Sequence, residues 1–160
     1  MDGTLLRTAR AMLGRALFAF LALPGVVAIA VPATWLYLEH RTTPEHFIGL
    51  LPLLAGTLAL LRCTADFYVS GRGTLAPWTP PRDLVTVGLY RWTRNPMYVA
   101  VLLMLLGWAW AFGHRGLLVY AVCVAIAFEL RVVFGEEPWL ARTHGEAWRA
   151  YAARVPRWFW

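Results

Sequence analysis

Four stretches of the chain are nearly free of charge, and their lengths set the first expectation. Ala16 to Leu38 carries no charged residue. A helix of that length covers the roughly 30 Å hydrocarbon core of a bilayer. Pro24 and Pro32 fall inside it and are expected to kink it. The second apolar run extends from Phe47 to about Val69, with Arg62 and Asp66 in its last third. Four residues apart, these two share a helix face and can pair. The third run is Pro96 to Phe112 and the fourth Leu117 to about Phe134. His114, Arg115 and Gly116 leave room only for a tight turn between them, so the last two helices are expected to be antiparallel neighbours. The pattern predicts an all-α integral membrane protein: four transmembrane helices in one domain over residues 1–160, followed by a C-terminal interfacial helix.

Composition supports this reading. The chain is 59% hydrophobic and 15% charged, where a soluble domain is nearer half apolar and a quarter charged. All 15 basic residues are Arg, which fits genome composition bias, and the net charge is +6. The arginines flank the apolar runs rather than forming a basic face, so a membrane-surface rim is expected and a nucleic-acid partner is not. Cys63 and Cys123 fall inside predicted spans and offer neither a disulfide framework nor metal-ligand spacing. No cleavable signal peptide is evident.

The arginines also orient the chain. Arg7, Arg10, Arg15, Arg72, Arg82, Arg91, Arg94, Arg131, Arg142, Arg149, Arg154 and Arg157 fall on one side of the four spans, and only Arg41 and Arg115 on the other. Loops rich in Arg stay cytosolic, so both termini are expected in the cytosol and the protein in the cell's inner (plasma) membrane. The two long polar segments, Ser70 to Asn95 and Gly135 to Trp160, then share the cytosolic side, where a water-soluble cofactor must bind. Within the first, the Pro-rich Ala76 to Arg82 should run extended along the surface with Trp78 at headgroup level.

Three constellations carry candidate chemistry. Between Gly88 and Tyr98 lies Gly-Leu-Tyr-Arg-Trp-Thr-Arg-Asn-Pro-Met-Tyr. Asn95 followed by Pro96 has the form of an N-cap and first helical residue. Free N–H groups there, with Arg91 and Arg94, suit a carboxylate or another anion, although the same arginines also serve as rim anchors. Glu136-Glu137 follow the fourth span. They suit a cation or ribose hydroxyls, or a solvated helix end paired with Arg131 or Arg142; adjacent residues on a helix diverge by about 100°, so one of the two is expected to face a site. In His144-Gly-Glu-Ala-Trp-Arg-Ala-Tyr151, Trp148 and Tyr151 share a face that either closes over a cofactor or anchors an amphipathic helix. Glu129, in the last turns of the fourth span, is an ionisable group at membrane depth. Gly71-Arg-Gly73 opens no strand-to-helix phosphate loop, so a Rossmann site is not indicated.

From Gly71 to Trp160 the chain resembles the isoprenylcysteine carboxyl methyltransferase and phospholipid methyltransferase superfamily. The stretches that carry the resemblance are GRGTLAPWTPPRDLVTVGLYRWTRNPMY and EEPWLARTHGEAWRAYAARVPRW, in order around a short helical hairpin. Asn-Pro-Met-Tyr and Glu-Glu-Pro look like the phosphatidylethanolamine branch; the Gly-x-x-Trp-x-x-Tyr and Val-Pro-Arg tail looks like the isoprenylcysteine branch. The family's usual Arg-His-Pro-x-Tyr is here Arg94-Asn95-Pro96-Met97-Tyr98.

The resemblance implies S-adenosylmethionine as cofactor and direct in-line methyl transfer to a lipophilic acceptor, either an isoprenylcysteine-type carboxylate or a phospholipid amine. It implies a cofactor pocket lined by Gly71, Gly73, Asn95, Tyr98, Glu136 and Glu137, flanked by Gly88, Tyr90, Arg91, Pro96, Met97, Trp148 and Tyr151. Arg94 is expected beside the reacting group, with Glu136 and Glu129 as further catalytic candidates. Two alternatives stay open: an NADPH-dependent membrane reductase, since sterol reductases have a similar tail, and a non-enzymatic membrane scaffold.

Overall fold

The computed structural model describes residues 21–70 and 84–159. Helices are the regular elements of the described residues, without a strand. A π-wound stretch, Leu21–Ala30, leads into α1, Val31–Leu38. The 3₁₀ turn Phe47–Gly49 opens α2, Leu50–Ser70, and a second such turn, Gly88–Arg91, precedes α3, Pro96–Ala111. The hairpin partner is α4, Arg115–Arg131, which runs through a π-helical turn, Val132–Glu136, into α5, Glu137–Ala152.

The prolines of the first apolar run act through lost donors. Around Pro24 the chain winds as a π-helix. Pro32 has no N–H to reach back to the Ala28 carbonyl; the Trp108 indole donates to that oxygen at 2.9 Å instead. Tyr120 donates to the neighbouring Val27 carbonyl at 3.2 Å. Inside an apolar bundle every carbonyl needs such a donor, and these two bonds tie the first helix to α3 and α4.

The closest packing is between α2 and α3, and small residues permit it. A Cβ on Gly56 would lie 2.6 Å from the Ala100 carbonyl oxygen, and one on Gly107 would meet the Leu53 backbone. Close backbone approach at small residues is how helices associate where the surroundings are as apolar as the side chains. Leu60, Ala100, Val101, Met104, Leu105 and Ala121 fill the centre. The outward faces are apolar too: Leu51, Leu54, Leu58 and Leu61 on α2, and Leu118, Val122, Ile126 and Leu130 on α4, are exposed. Large leucine faces turned outward need a non-aqueous neighbour. Two helical segments, Phe47–Phe67 and Arg115–Ala152, are long and apolar enough to cross a membrane, and two shorter apolar ones, Pro24–Leu38 and Pro96–Ala111, accompany them.

Two expectations need correction. The fourth helix does not stop near Phe134: the π turn keeps it continuous to Ala152, and the chain breaks helical geometry only at Gly145, at φ 52°. The hairpin turn is Phe112 to His114 rather than His114 to Gly116. Gly113 takes the positive φ of 57° that reverses the chain, and Arg115 already begins α4 because His114 caps it, its Nδ1 accepting the Leu117 N–H at 3.1 Å.

The polar groups segregate to opposite ends of the bundle. At the turn end, His114 Nε2 meets Glu39 at 2.8 Å, and Arg41 bonds Glu45 and the Phe112 carbonyl. Hydrogen bonds from His114 first, then from Trp35, hold the Glu39 carboxyl below its usual range. Arg94, Arg131 and Arg157 gather at the other end.

Candidate active site

The site end is assembled by the chain folding back on itself after α5. Residues 155–158 cross the segment that enters α3. The Arg94 N–H donates to the Pro156 carbonyl at 2.9 Å. The Arg157 carbonyl accepts from the Thr93 hydroxyl at 2.9 Å and from the Asn95 amide at 3.0 Å. Asn95 therefore stands at the N-cap of α3 without capping it by its side chain; the expected cap is spent on docking the tail. Tyr151 adds a further tie, its hydroxyl donating to the Tyr90 carbonyl at 2.7 Å.

Two carboxylate clusters lie under this crossing. Glu137 receives Arg94 at 3.1 Å and a paired contact from Arg157, at 3.0 Å from Nε and 2.7 Å from Nη2. Arg157 also reaches Glu129 at 3.3 Å, and the Trp158 indole donates to the other oxygen of Glu129 at 2.8 Å. In the second cluster, Glu136 accepts from the Tyr98 hydroxyl and from Arg131 at 2.7 Å. Tyr98 lies on the Phe128 ring, with centroids 4.3 Å apart.

Both glutamates thus engage the segment that opens α3, Glu136 through Tyr98 and Glu137 through Arg94, where one of the two was expected to do so. Their divergence around the helix sends them to two partners on one neighbouring strand of chain instead of one inward and one outward. Arg94 stands over the Trp148 ring, 5.4 Å from its centroid, and its buried Nε has no partner among the described residues.

Electrostatics follow from burial and pairing. The hydrogen bond to Glu137 is the main cause that raises Arg157 further above its already basic range. Burial pushes the Tyr151 hydroxyl up to about 12, against the opposing influence of Arg94, and raises Tyr90 well above the ordinary phenol range.

The other expected site residues have the following positions. Gly71 and Gly73, like Ala76 to Arg82, lie outside the described residues. Pro96 is buried at the start of α3, and Met97 packs into the core between Leu60 and Tyr90 rather than toward the carboxylates. Arg91 is exposed. Gly88 faces Asp66. Trp148 and Tyr151 do share a face, but it packs inward on Leu84 and Val155 and does not lie outward as an anchor.

Arg131, expected as a partner of the glutamates, does pair with Glu136; the partners that sequence reasoning missed are Arg157, Trp158 and Thr93. The rim's three glutamates at 129, 136 and 137 called for as many cations, and the Val-Pro-Arg turn after α5 was the signal that one would come from the tail.

Residues 44–147 match the model of the phospholipid methyltransferase family. The chain belongs to that family. The match takes in α2, which the sequence suggested only as a generic helix, and it supports a membrane methyltransferase in general terms. It ends before Trp148, so the tail that carries Arg157 lies beyond the matched part. No curated protein and no solved structure matches the chain.

Proposed function

We propose that this phospholipid methyltransferase family member is an integral membrane enzyme that transfers a methyl group from S-adenosylmethionine to a lipophilic acceptor, either a phospholipid amine or an isoprenylcysteine-type carboxylate. It crosses the inner membrane four times with both termini in the cytosol. The observation that carries the reading is the joining of two distant segments at one end of the bundle: Arg94 with Glu137 and Tyr98 with Glu136.

The donor set fits the cofactor. Glu129, Glu136 and Glu137 offer carboxylates to a cation and to ribose hydroxyls, Arg94 offers to a carboxylate a buried Nε that has no partner among the described residues, and Trp148 offers an aromatic face. When bound, S-adenosylmethionine supplies the methyl group, carried on a sulfonium whose positive charge vanishes on transfer.

The chain's own residues position and exclude water. Arg157 and Arg131 hold the glutamates in fixed orientations, so that little reorganisation is needed when a ligand arrives. The crossing of residues 155–158 over 93–95 closes the aqueous side. The acceptor enters sideways from lipid, between helices whose outer faces are apolar. A dry site favours charge annihilation if the acceptor is a carboxylate; an amine acceptor needs a base, for which Glu129 and Glu137 are the candidates.

The test is incorporation of labelled methyl from S-adenosylmethionine into membrane lipids or prenyl-thioether acids by the purified protein in lipid discs. Label should appear in one of these acceptors, and Glu136→Gln should lower the rate about tenfold or more. Normal turnover in that variant removes Glu136 from the mechanism, and absence of label from every lipophilic acceptor overturns the reading in favour of a scaffold.

A further inference from the structure

A groove opens at the turn end of the bundle, a helix length from Tyr98 and Glu136. Leu106, Ala109 and Trp110 form one stripe in the last turns of α3, since residues three and four apart share a helix face. Arg115 and Leu118, three apart, form the facing edge at the start of α4. His46 completes the lining from the loop before α2, its N–H held by the Ala111 carbonyl at 2.9 Å. The space between them is about 440 Å³, within the range of small-ligand sites, roughly 300–1,000 Å³. It is open to the outside: Leu106, Trp110 and Leu118 are 45%, 54% and 48% exposed.

The groove changes character along its length. Leu118 continues into Val122 and Ile126, four and eight residues on, which are exposed on the same side of α4. An apolar face of that extent needs a non-aqueous neighbour. Toward the turn the lining becomes polar, with His46 and the first residue of α4, Arg115, both exposed.

Charge at this mouth is one-sided. Of the carboxylates at the turn end, Glu39 is bonded by His114 and the Trp35 indole, and Glu45 by Arg41. His114 is spent on both ring nitrogens, toward Glu39 and the Leu117 N–H. Arg115 has no carboxylate partner among the described residues, and none of them lines the groove with a carboxylate. A guanidinium presents a planar fork of donors that matches a phosphate.

We infer that this groove holds one glycerophospholipid of the leaflet at the turn end, with an acyl chain along Leu106, Trp110 and Leu118 and its phosphate on Arg115. The groove presents an apolar slot and a cation side by side, and its occupant has to be apolar and anionic in the same order. A soluble phosphate has nothing for the leucines, and an uncharged lipid has nothing for Arg115. The inference does not rest on the methyltransferase reading, because the groove lies at the other end of α3 and α4 from the clusters around Glu136 and Glu137.

The test is native mass spectrometry of the purified protein in detergent with dioleoyl phosphatidylglycerol, dioleoylglycerol or glycerol phosphate added. Phosphatidylglycerol carries no amine, so it reports on the groove and not on a methyl acceptor. Wild type should retain one phosphatidylglycerol per chain and neither of the other two. Arg115→Gln should weaken that binding about tenfold or more, the loss of a charge-assisted contact. Leu118→Trp keeps the cation, fills the slot, and should weaken it as well. Arg149→Gln, at an exposed arginine of α5, should bind as wild type does. All three positions are exposed, so melting temperatures without lipid should match wild type. Added phosphatidylglycerol should raise those of wild type and Arg149→Gln by mass action, and not those of the other two. Equal retention of dioleoylglycerol, unchanged binding in Arg115→Gln, or an equal loss in Arg149→Gln overturns the inference. So does a dimer mass that disappears in Leu118→Trp, which gives the groove to a second copy of the chain.

Discussion

Arg157 holds Glu137 through two roughly parallel hydrogen bonds, at 3.0 and 2.7 Å, from a position twenty residues further along the chain. The same residue's carbonyl takes Thr93 and Asn95, so one arginine fastens the tail to both halves of the site. Arg157→Gln should lose the paired geometry and cost about 1–3 kcal/mol of stability. Arg157→Lys should restore little, because an ammonium cannot present the planar fork. Thermal unfolding in detergent, read beside S-adenosylhomocysteine affinity, checks both: each variant should fall in both measurements.

Tyr98 is the residue through which Glu136 and Arg131 meet the start of α3. Tyr98→Phe keeps the stacking on Phe128 and removes only the hydroxyl. Methyl transfer should fall about tenfold, equivalent to ~1.4 kcal/mol, with a much smaller change in melting temperature. Unchanged kcat/KM would mean that the hydroxyl serves packing alone.

Gly88→Ala meets two obstacles, the positive φ of 59° and the Asp66 carboxylate in the space its methyl needs. Strain of this kind costs about 1–3 kcal/mol. The variant should melt lower than wild type, and pairing it with Asp66→Ser, which clears the space, should recover part of the loss. The double variant measures how much of the cost is collision rather than backbone.

Burial raises the Tyr151 hydroxyl from 10.0 to about 12. A group whose pKa is higher when folded contributes stability that is intact below its unfolded value and disappears as pH climbs through the folded one. The tie to the Tyr90 carbonyl is therefore stable at neutral pH and lost between about pH 10 and 12. Denaturant midpoints across that window should fall in wild type and fall less steeply in Tyr151→Phe.

How much of this was legible beforehand differs by kind of interaction. The apolar runs and the Arg62–Asp66 pair follow from spacing along one helix, which a sequence displays directly. The continuity of α4 into α5 does not, because Gly135 and the two glutamates look like a helix end until Tyr98, Arg94, Arg131 and Arg157 are known to satisfy them. Asn95 was legible as a helix start but not as a donor to the tail, since its partner carbonyl lies sixty-two residues away. Contacts made when a chain returns on itself depend on the whole fold, and periodicity is silent about them.

The turn end provides the contrast that separates stability from function. His114 caps α4 and bonds Glu39, far from the carboxylate clusters. His114→Ala should lower stability by about 1 kcal/mol, as other lost caps do, and leave methyl transfer within about twofold of wild type at a temperature where the variant is folded. A large loss of turnover in folded His114→Ala would show that the two ends are coupled.

The central claim is that the polar cluster shared by Arg94, Tyr98, Glu136 and Glu137 holds S-adenosylmethionine. Calorimetric titration of the purified protein with S-adenosylhomocysteine, in wild type and Glu137→Gln, tests it most directly. The account predicts saturable binding at one site per chain and a loss of about tenfold or more in the variant. No heat in wild type, or saturable binding of NADPH in its place, would contradict it.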